Sequence, residues 1–232
     1  MDVFLVGGGW SDERARDMFG GFVEAAAARS AVEDPRILLV VTGTDAEDRR
    51  YHEKYVDALA LVGVTNPVVA RVGEGDVLPP DVLEGIDGLL VGGGPTPQYH
   101  ASLSPAYPRI RELVAEGVPY AGFSAGAAIA ATQAIVGGWL LDGQPVCPEG
   151  SNEQLDDVSV VEGIGLVPGA VDVHAAQWGN LSRLVAVVEA GLAPLGMAID
   201  ECTTVLPDGS AVGAGRVWRV SGGPEGTVVT RS

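Results

Sequence analysis

Short apolar runs alternate with longer amphipathic stretches along most of the chain. This alternation is typical of βαβ units, in which buried parallel strands are separated by helices that cover the sheet. The apolar runs predict strands at Val3–Val6, Ile37–Thr42, 67–72, Gly88–Val91, 118–123, 197–200 and 203–206. The amphipathic stretches predict helices at 12–29, 46–62, 105–116, 125–134 and 177–191.

The two ends of the chain have contrasting patterns. In the predicted first helix, Ala15, Met18, Phe19 and Phe22 recur at a spacing that places them on one face. Ser11 precedes this helix and is predicted to be its N-cap, since serine is among the preferred capping residues. Residues 208–232 alternate glycines with short valine-rich runs, which predicts β-hairpins at a sheet edge.

The organisation of the chain favours one domain that spans residues 1–232. Its 232 residues are 47% hydrophobic, which is enough to bury one full core, and no repeat or long linker divides them. We therefore expect an α/β fold of three layers, with a mostly parallel, doubly wound sheet between helices and with C-terminal β-hairpins.

Several function classes are disfavoured by composition. A formal charge of −17 with a single lysine, Lys54, argues against nucleic acid and anionic membranes as partners, and an acidic substrate would need a local arginine. No apolar run reaches the roughly 18–20 residues of a membrane span, and the N-terminus resembles a first strand and not a signal peptide, so a cytoplasmic location is expected. Cys147 and Cys202 are too few and too distant to indicate a disulfide framework or a zinc site.

The candidate chemistry begins at Ser124, which lies between Gly122 and Gly126 where an apolar run meets a small-residue helix pattern. This is the sequence form of a nucleophile elbow, a sharp strand-to-helix turn that exposes the serine hydroxyl above a sheet. The two glycines are expected where a Cβ would collide with neighbouring backbone. Ser124 is therefore the predicted nucleophile.

Two glycine-rich breaks also follow predicted strands. The break at Gly92-Gly93-Gly94 is expected to supply an oxyanion hole through the N–H groups of Gly93 and Gly94, completed by the N–H of Ala125. The break at residues 7–9 lacks the G-x-G-x-x-G spacing, and no phosphate-binding P-loop pattern occurs, so a nucleotide cofactor is not expected.

An activated serine needs a base, and the chain has three histidines. His52 lies in a charged stretch of the predicted second helix and is expected to be solvated and incidental. His100 is close to the 92–94 break and is expected to line the cleft. His174 follows a short extended run and precedes a helix, so it is the best placed of the three to act as base.

A serine–histidine pair is usually completed by a carboxylate that fixes the imidazole tautomer. The candidates are Asp142, Asp172, Asp200 and Glu201, and spacing alone does not choose among them. Asp172 lies two residues before His174 and is also a candidate for substrate contact, whereas Glu201 follows a predicted strand and is a credible orienting group.

Several segments together resemble a known family: 92–94 with Gln98, 122–127 with Ser124, Asp172-x-His174 followed by Arg183-Leu184, and Ile199-Asp200-Glu201-x-Thr203. In this order they are similar to the S51 serine peptidases, which include aspartyl dipeptidase (peptidase E) and cyanophycinase. The resemblance implies a fold similar to class I glutamine amidotransferases, related to the flavodoxin-like arrangement, with serine in place of the cysteine nucleophile.

The resemblance also implies residue roles. It implies that Ser124 is the nucleophile, His174 the base and Asp142 the acidic member, with Glu201 as the alternative, and that Gln98, Asp172 and Arg183 face the substrate. It implies no metal and no organic cofactor. Cyanophycinases carry D-x-H-F followed by several arginines, whereas here Ala175 follows His174 and most of those arginines are missing.

The function expected from these residues is hydrolysis of small peptides by an aspartyl-dipeptidase-like exopeptidase that forms an acyl-enzyme. The alternatives are a cyanophycinase-like hydrolase of β-aspartyl peptides, a small-ester hydrolase and a catalytically silent binding module on the same fold. A homodimer is also expected, because small α/β enzymes often form two-fold dimers.

Overall fold

The computed structural model describes residues 1–43, 46–223 and 226–231. The strands in this part of the chain are β1 (Val3–Val6), β2 (Ile37–Thr42), β3 (Val68–Val72), β4 (Gly88–Val91), β5 (Tyr120–Phe123), β6 (Ala131–Gly137), β7 (Leu140–Leu141), β8 (Gln144–Pro145), β9 (Ser159–Glu162), β10 (Val167–Val173), β11 (Leu195–Ile199), β12 (Thr203–Val205), β13 (Ala211–Gly213), β14 (Val217–Gly223) and β15 (Gly226–Arg231). The α-helices are α1 (Gly21–Ser30), α2 (Ala46–Leu61), α3 (Thr96–Leu103), α4 (Tyr107–Ala115), α5 (Ala125–Ile129) and α6 (Asn180–Glu189).

The first sheet has seven strands in the order β13-β12-β1-β5-β4-β2-β3. Neighbours from β1 to β3 in this order are parallel, and β12 and β13 complete one edge as antiparallel strands. β1, β2 and β4 have the bounds that the apolar runs predicted. The carboxyl ends of β1, β4 and β5 therefore meet at one edge, where an open α/β sheet places its ligands.

A second sheet has six strands in the order β15-β14-β11-β10-β6-β9. Its centre is parallel, since β10 lies between β6 and β11, and its flanks are antiparallel. The predicted C-terminal hairpins are confirmed, with β12–β13 at the edge of the first sheet and β14–β15 at the edge of the second. The division of these strands into two sheets was not predicted.

Three apolar clusters hold the layers together. Alternate residues of β1 and β2, such as Phe4 and Leu39, pack with α1 and α2 on one face of the first sheet. The residues between them, such as Leu5 and Leu38, face a larger core that includes α3, α4, α5 and strands of the second sheet. A third cluster joins the outer face of the second sheet to α6. The expected α/β class, with helices on both faces of a mostly parallel sheet, is confirmed.

The predicted helix at 125–134 is wrong beyond its first half. α5 ends at Ile129, and the chain continues as β6 from Ala131. The alanine-rich sequence favours a helix, but Ile135 and Val136 are β-branched and favour a strand. Pairing of β6 with β10 and β9 decides the outcome, because tertiary contacts override local propensity.

The predicted first helix is divided into a 3-10 turn at Asp12–Arg14, a π-helical turn at Arg16–Gly20 and α1. Its predicted apolar face is buried. Ser11 precedes the turn, but its side chain makes no capping hydrogen bond, which corrects the predicted cap. Instead the Ser11 carbonyl accepts the N–H of Arg14 at 3.0 Å, as a tight 3-10 start requires.

The remaining helices differ from prediction mainly at their ends. α4 follows a 3-10 turn at Ser104–Ala106, and α6 is shorter than the predicted 177–191. α3 was not predicted, and it begins beside the glycine-rich break with Pro95 at its N-cap and Pro97 in its first turn. Proline is tolerated in the first turn of a helix, where its missing N–H has no intrahelical partner. None of the described helices has the length and apolar composition needed to traverse a bilayer.

Candidate active site

Ser124 lies at the turn between β5 and α5, with φ 51° and ψ −108°. This backbone conformation is strained for a non-glycine residue, as expected for a nucleophile elbow. A Cβ added at Gly122 would overlap the backbone of Gly126, and one added at Gly126 would overlap the carbonyl of Val91. Both glycines of the predicted elbow are therefore required by close backbone contacts.

His174 follows β10 and lies beside the serine, as the sequence analysis expected. Its Nε2 is 2.9 Å from Ser124 Oγ, and its backbone N–H donates to the carbonyl of Gly7 at 2.9 Å. Burial lowers the pKa of His174 from its ordinary value of 6.5, although the adjacent Glu201 carboxylate opposes this shift. A neutral imidazole can accept the serine proton, so the geometry suits a general base.

Glu201 is the carboxylate at this histidine. Its Oε1 is 2.7 Å from His174 Nδ1, and its backbone N–H donates to Gln177 Oε1 at 3.0 Å. An ionised carboxylate can only accept hydrogen bonds, so Glu201 selects the His174 tautomer that carries its proton on Nδ1. Nε2 is then free to accept a hydrogen bond from Ser124 Oγ.

The structure corrects the preference for Asp142. Asp142 is exposed in the tight turn between β7 and β8, and no described contact joins it to His174. Its position after the nucleophile helix in sequence does not bring it to the histidine, because β6 carries the chain away along the second sheet. Asp200 is buried and binds the backbone N–H groups of Ala176 and Arg216, so it braces the loops around the site.

The glycine-rich break after β1 supports the histidine and the glutamate. Gly8 and Gly9 have φ values of 85° and 70°, and a Cβ at either position would overlap the His174 ring or the Glu201 side chain, respectively. The Gly8 carbonyl also accepts the N–H of Cys202 at 2.8 Å. This segment carries no nucleotide motif, and its role is to allow the backbone to pass close to the two side chains.

Trp178 covers one face of the histidine, a contact that the sequence analysis missed. The indole and imidazole rings are 3.9 Å apart with an interplanar angle of 8°. The backbone N–H of Trp178 donates to the His174 carbonyl at 2.9 Å. This hydrogen bond closes one turn of chain and places the tryptophan beside the histidine. In the sequence, the spacing of four residues between His174 and Trp178 was the only indication of this contact.

The predicted oxyanion hole needs one correction. The N–H of Gly93 donates to Tyr55 Oη at 2.7 Å and is buried, so it is already engaged. The N–H groups of Gly94 and Ala125 have no hydrogen-bond acceptor among the described residues. Gly94 lines the same cleft as Ser124, and Ala125 directly follows the nucleophile. These two groups remain the candidate donors.

Asp172 and Arg183, both predicted to face the substrate, bind each other. Arg183 donates from Nε and Nη2 to the two carboxylate oxygens of Asp172 at 2.8 Å, and from Nη1 to the carbonyls of Gly138 and Ser151. Both side chains are buried, and the Asp172 carboxylate raises the pKa of Arg183 despite the opposing effect of burial. The pair is structural, which corrects both assignments.

The other predicted polar residues have different positions. Gln98 Nε2 is 3.4 Å from the carbonyl of Val72, and Gln98 is not among the residues that line the cleft. His100 lies outside the cleft, with Nδ1 3.2 Å from Tyr107 Oη. His52 was expected to be solvated but is buried in the cleft wall, because its spacing from Tyr55 places it on the core face of α2.

The cleft beside the serine has a volume of about 610 Å³. It is lined by Thr42, Tyr51, His52, Gly93, Gly94, Pro95, Phe123, Ser124, Gly150, Ser151, Asn152, Glu153, Gln154, His174 and Trp178. Among the described residues, this lining contains one carboxylate, Glu153, and no lysine or arginine. In the described part of the chain, no group of three or more His, Cys, Asp or Glu side chains is arranged to hold a metal ion.

Comparisons with known proteins give a family and a similar fold. The family model "Peptidase family S51" matches residues 3–212. A 1.5 Å crystal structure of a protein from Listeria monocytogenes EGD-e, provisionally named peptidase E, is similar in fold with a TM-score of 0.55. That match has 16% sequence identity and covers 100% of this chain and 98% of the other, so it supports the fold alone. No protein of curated function matches the sequence significantly.

The family match spans nearly the whole chain and includes every residue of the site described above. It confirms the resemblance found in the sequence. This chain belongs to peptidase family S51.

Proposed function

We propose that this protein is a serine peptidase that hydrolyses small peptides through Ser124, His174 and Glu201. The observation that carries the proposal is the continuous hydrogen-bond chain, with 2.9 Å from Ser124 Oγ to His174 Nε2 and 2.7 Å from His174 Nδ1 to Glu201 Oε1. Nucleophile, base and orienting group are each within hydrogen-bond reach of the next, which is the arrangement that activates a serine.

In the first half of the reaction, Ser124 Oγ attacks the scissile carbonyl while His174 takes the serine proton. Glu201 stabilises the imidazolium that forms. The N–H groups of Gly94 and Ala125 are the proposed donors to the oxyanion. Collapse of the tetrahedral intermediate breaks the C–N bond, and His174 gives its proton to the leaving amine.

In the second half, water attacks the acyl-enzyme on Ser124. His174 removes a proton from this water and then returns it to Ser124 Oγ as the carboxylic acid product leaves. The close backbone contacts at Gly122 and Gly126 enforce the strained turn at Ser124, and Gly8 passes close to the His174 ring, so the reacting groups are held in place before substrate binds.

The cleft volume suits a small peptide better than a folded protein. The expected aspartyl-dipeptidase specificity receives less support, because it requires a cation for the substrate carboxylate. Arg183, the arginine that the resemblance pointed to, is bound to Asp172. The same reasoning applies to cyanophycinase-like cleavage of β-aspartyl peptides, so we propose the peptidase reaction without that preference.

The proposal is tested by measuring hydrolysis of a small panel by wild type and Ser124→Ala. The panel contains Asp-Leu, other dipeptides, a β-aspartyl dipeptide and p-nitrophenyl acetate. We expect Ser124-dependent cleavage of peptides and covalent labelling of Ser124 by a fluorophosphonate. Cleavage of the ester alone would indicate an esterase, and a folded protein that neither turns over nor labels would indicate a silent binding module.

A further inference from the structure

The cleft beside Ser124 has an acidic character that the peptidase reaction does not itself require. None of the chain's 14 lysines and arginines is among its lining residues. All 14 of these residues lie in the described part of the chain, so each has a known position outside the lining. The formal charge of −17 surrounds the cleft with a negative field.

Glu153 is the carboxylate in this lining. It is part-buried in a backbone conformation with φ 54°, and the adjacent Gln154 has φ 63°. Its two carboxylate oxygens are each 3.4 Å from Thr96, one from the backbone N–H and one from Oγ1. These contacts are long, and a carboxylate accepts about four hydrogen bonds, so Glu153 has acceptor capacity left for a ligand.

The surroundings of Glu153 favour a cationic partner. Burial raises the pKa of Glu153, with the Thr96 backbone N–H and the Arg183 charge acting in the opposite direction. The charge of Arg183 is already compensated by its bidentate pair with Asp172. A desolvated carboxylate with weak donors is stabilised by direct contact with a cation.

We propose that Glu153 binds a cationic group of the peptide substrate, an ammonium or guanidinium, and that the cleft discriminates against acidic residues near the scissile bond. This inference rests on the proposed peptidase function of the same site. A substrate carboxylate in the cleft would face Glu153 without a compensating cation among the described lining residues. A cation would instead form a charge-assisted hydrogen bond with Glu153.

Paired substrates of nearly equal shape provide the test. Asn-Leu and Asp-Leu differ by one charge, and we expect kcat/KM for Asn-Leu to be higher by about tenfold, which corresponds to one unfavourable charge contact. Ala-Leu against N-acetyl-Ala-Leu tests recognition of the α-ammonium. Lys-Leu against norleucyl-leucine tests recognition of a basic side chain. A preference for the cationic member is expected in at least one of the last two pairs.

Two variants assign the preference to Glu153. Glu153→Gln keeps an acceptor and a similar shape toward Thr96 but removes the charge. We expect this variant to reduce the ratio of kcat/KM for Asn-Leu to kcat/KM for Asp-Leu severalfold, and to reduce the preference for the cationic substrate by a similar factor. Glu149→Gln is the matched control, because Glu149 is exposed on the same loop and does not line the cleft. A purely structural role at the start of α3 would change thermal stability but leave both ratios unchanged.

The outcomes separate this inference from the function on which it rests. The role of Glu153 is overturned, and the peptidase function is kept, if hydrolysis depends on Ser124 but kcat/KM is equal for Asp-Leu and Asn-Leu. The same conclusion follows if Glu153→Gln leaves the kcat/KM ratios of the paired substrates unchanged. An acidic preference would indicate that a cation reaches the cleft from another molecule, which also contradicts the inference. Absence of any peptide cleavage and of Ser124 labelling overturns both.

Discussion

The indole of Trp178 lies parallel to the imidazole of His174, with ring centroids 3.9 Å apart and an angle of 8° between the planes. The tryptophan is partly exposed at the cleft, so it covers the histidine without enclosing it. An aromatic face attracts a cation, and in the proposed reaction His174 becomes an imidazolium during each proton transfer. The stack therefore favours the charged form at the step where the reaction needs it.

Replacement of this ring tests the effect. Trp178→Leu keeps apolar cover over His174 but removes the aromatic face, so we expect kcat to fall by about two- to fivefold. Trp178→Phe restores a ring and should recover most of the rate. Steady-state kinetics on the best peptide measures both. Equal rates for the leucine and phenylalanine variants would show that only apolar cover matters.

The orienting carboxylate is tested by a pair of substitutions. Glu201→Gln removes the charge that stabilises the imidazolium and can turn its amide toward Nδ1, so we expect kcat to fall by about 10⁴-fold. Asp142→Asn, in the exposed turn between β7 and β8, should change kcat by no more than about twofold. A large loss from Asp142→Asn with little loss from Glu201→Gln would contradict the observed geometry.

The pH dependence follows from the pKa of His174, which burial lowers from 6.5 despite the opposing effect of Glu201. The base must be neutral, so activity is lost as pH falls through this lowered value. We expect the acidic midpoint of the kcat/KM profile to lie below pH 6.5. The same titration is observable as the chemical shift of the His174 imidazole protons.

Glu201→Gln provides the control for that assignment. Glu201 acts to raise the pKa of His174, so its neutralisation should move the acidic midpoint further down. Residual activity of this variant is measured with an activated ester to keep the rate detectable. A midpoint above 6.5 in wild type, or an upward shift in the variant, would be inconsistent with a buried His174 paired with Glu201.

The Asp172–Arg183 pair is expected to act on stability and not on substrate choice. Arg183→Met leaves a buried carboxylate without its partner, so we expect the free energy of unfolding to fall by about 3–5 kcal/mol. The double variant Asp172→Leu with Arg183→Met should lose less than this single variant. Denaturant unfolding measures both. A stable Arg183→Met protein with a raised KM for acidic peptides would return Arg183 to the role of substrate ligand.

Most of the framework was predictable because it depends on local pattern. The bounds of β1, β2 and β4, the elbow at Ser124 and the histidine after β10 follow from apolar runs, paired glycines and strand ends. Local pattern was insufficient at β6, where helix propensity and strand pairing disagree, and at α3, which was not predicted.

The sequence by itself determined the α/β alternation and the family, and it singled out Ser124 and His174 as the candidate nucleophile and base. Only the tertiary structure decided which carboxylate reaches His174, that Arg183 is bound to Asp172, and that the N–H of Gly93 donates its hydrogen bond to Tyr55. The reason is that these are contacts between distant parts of the chain: Glu201 follows His174 by 27 residues, and His174 follows Ser124 by 50. Such contacts depend on strand order and on the division into two sheets, neither of which local periodicity encodes.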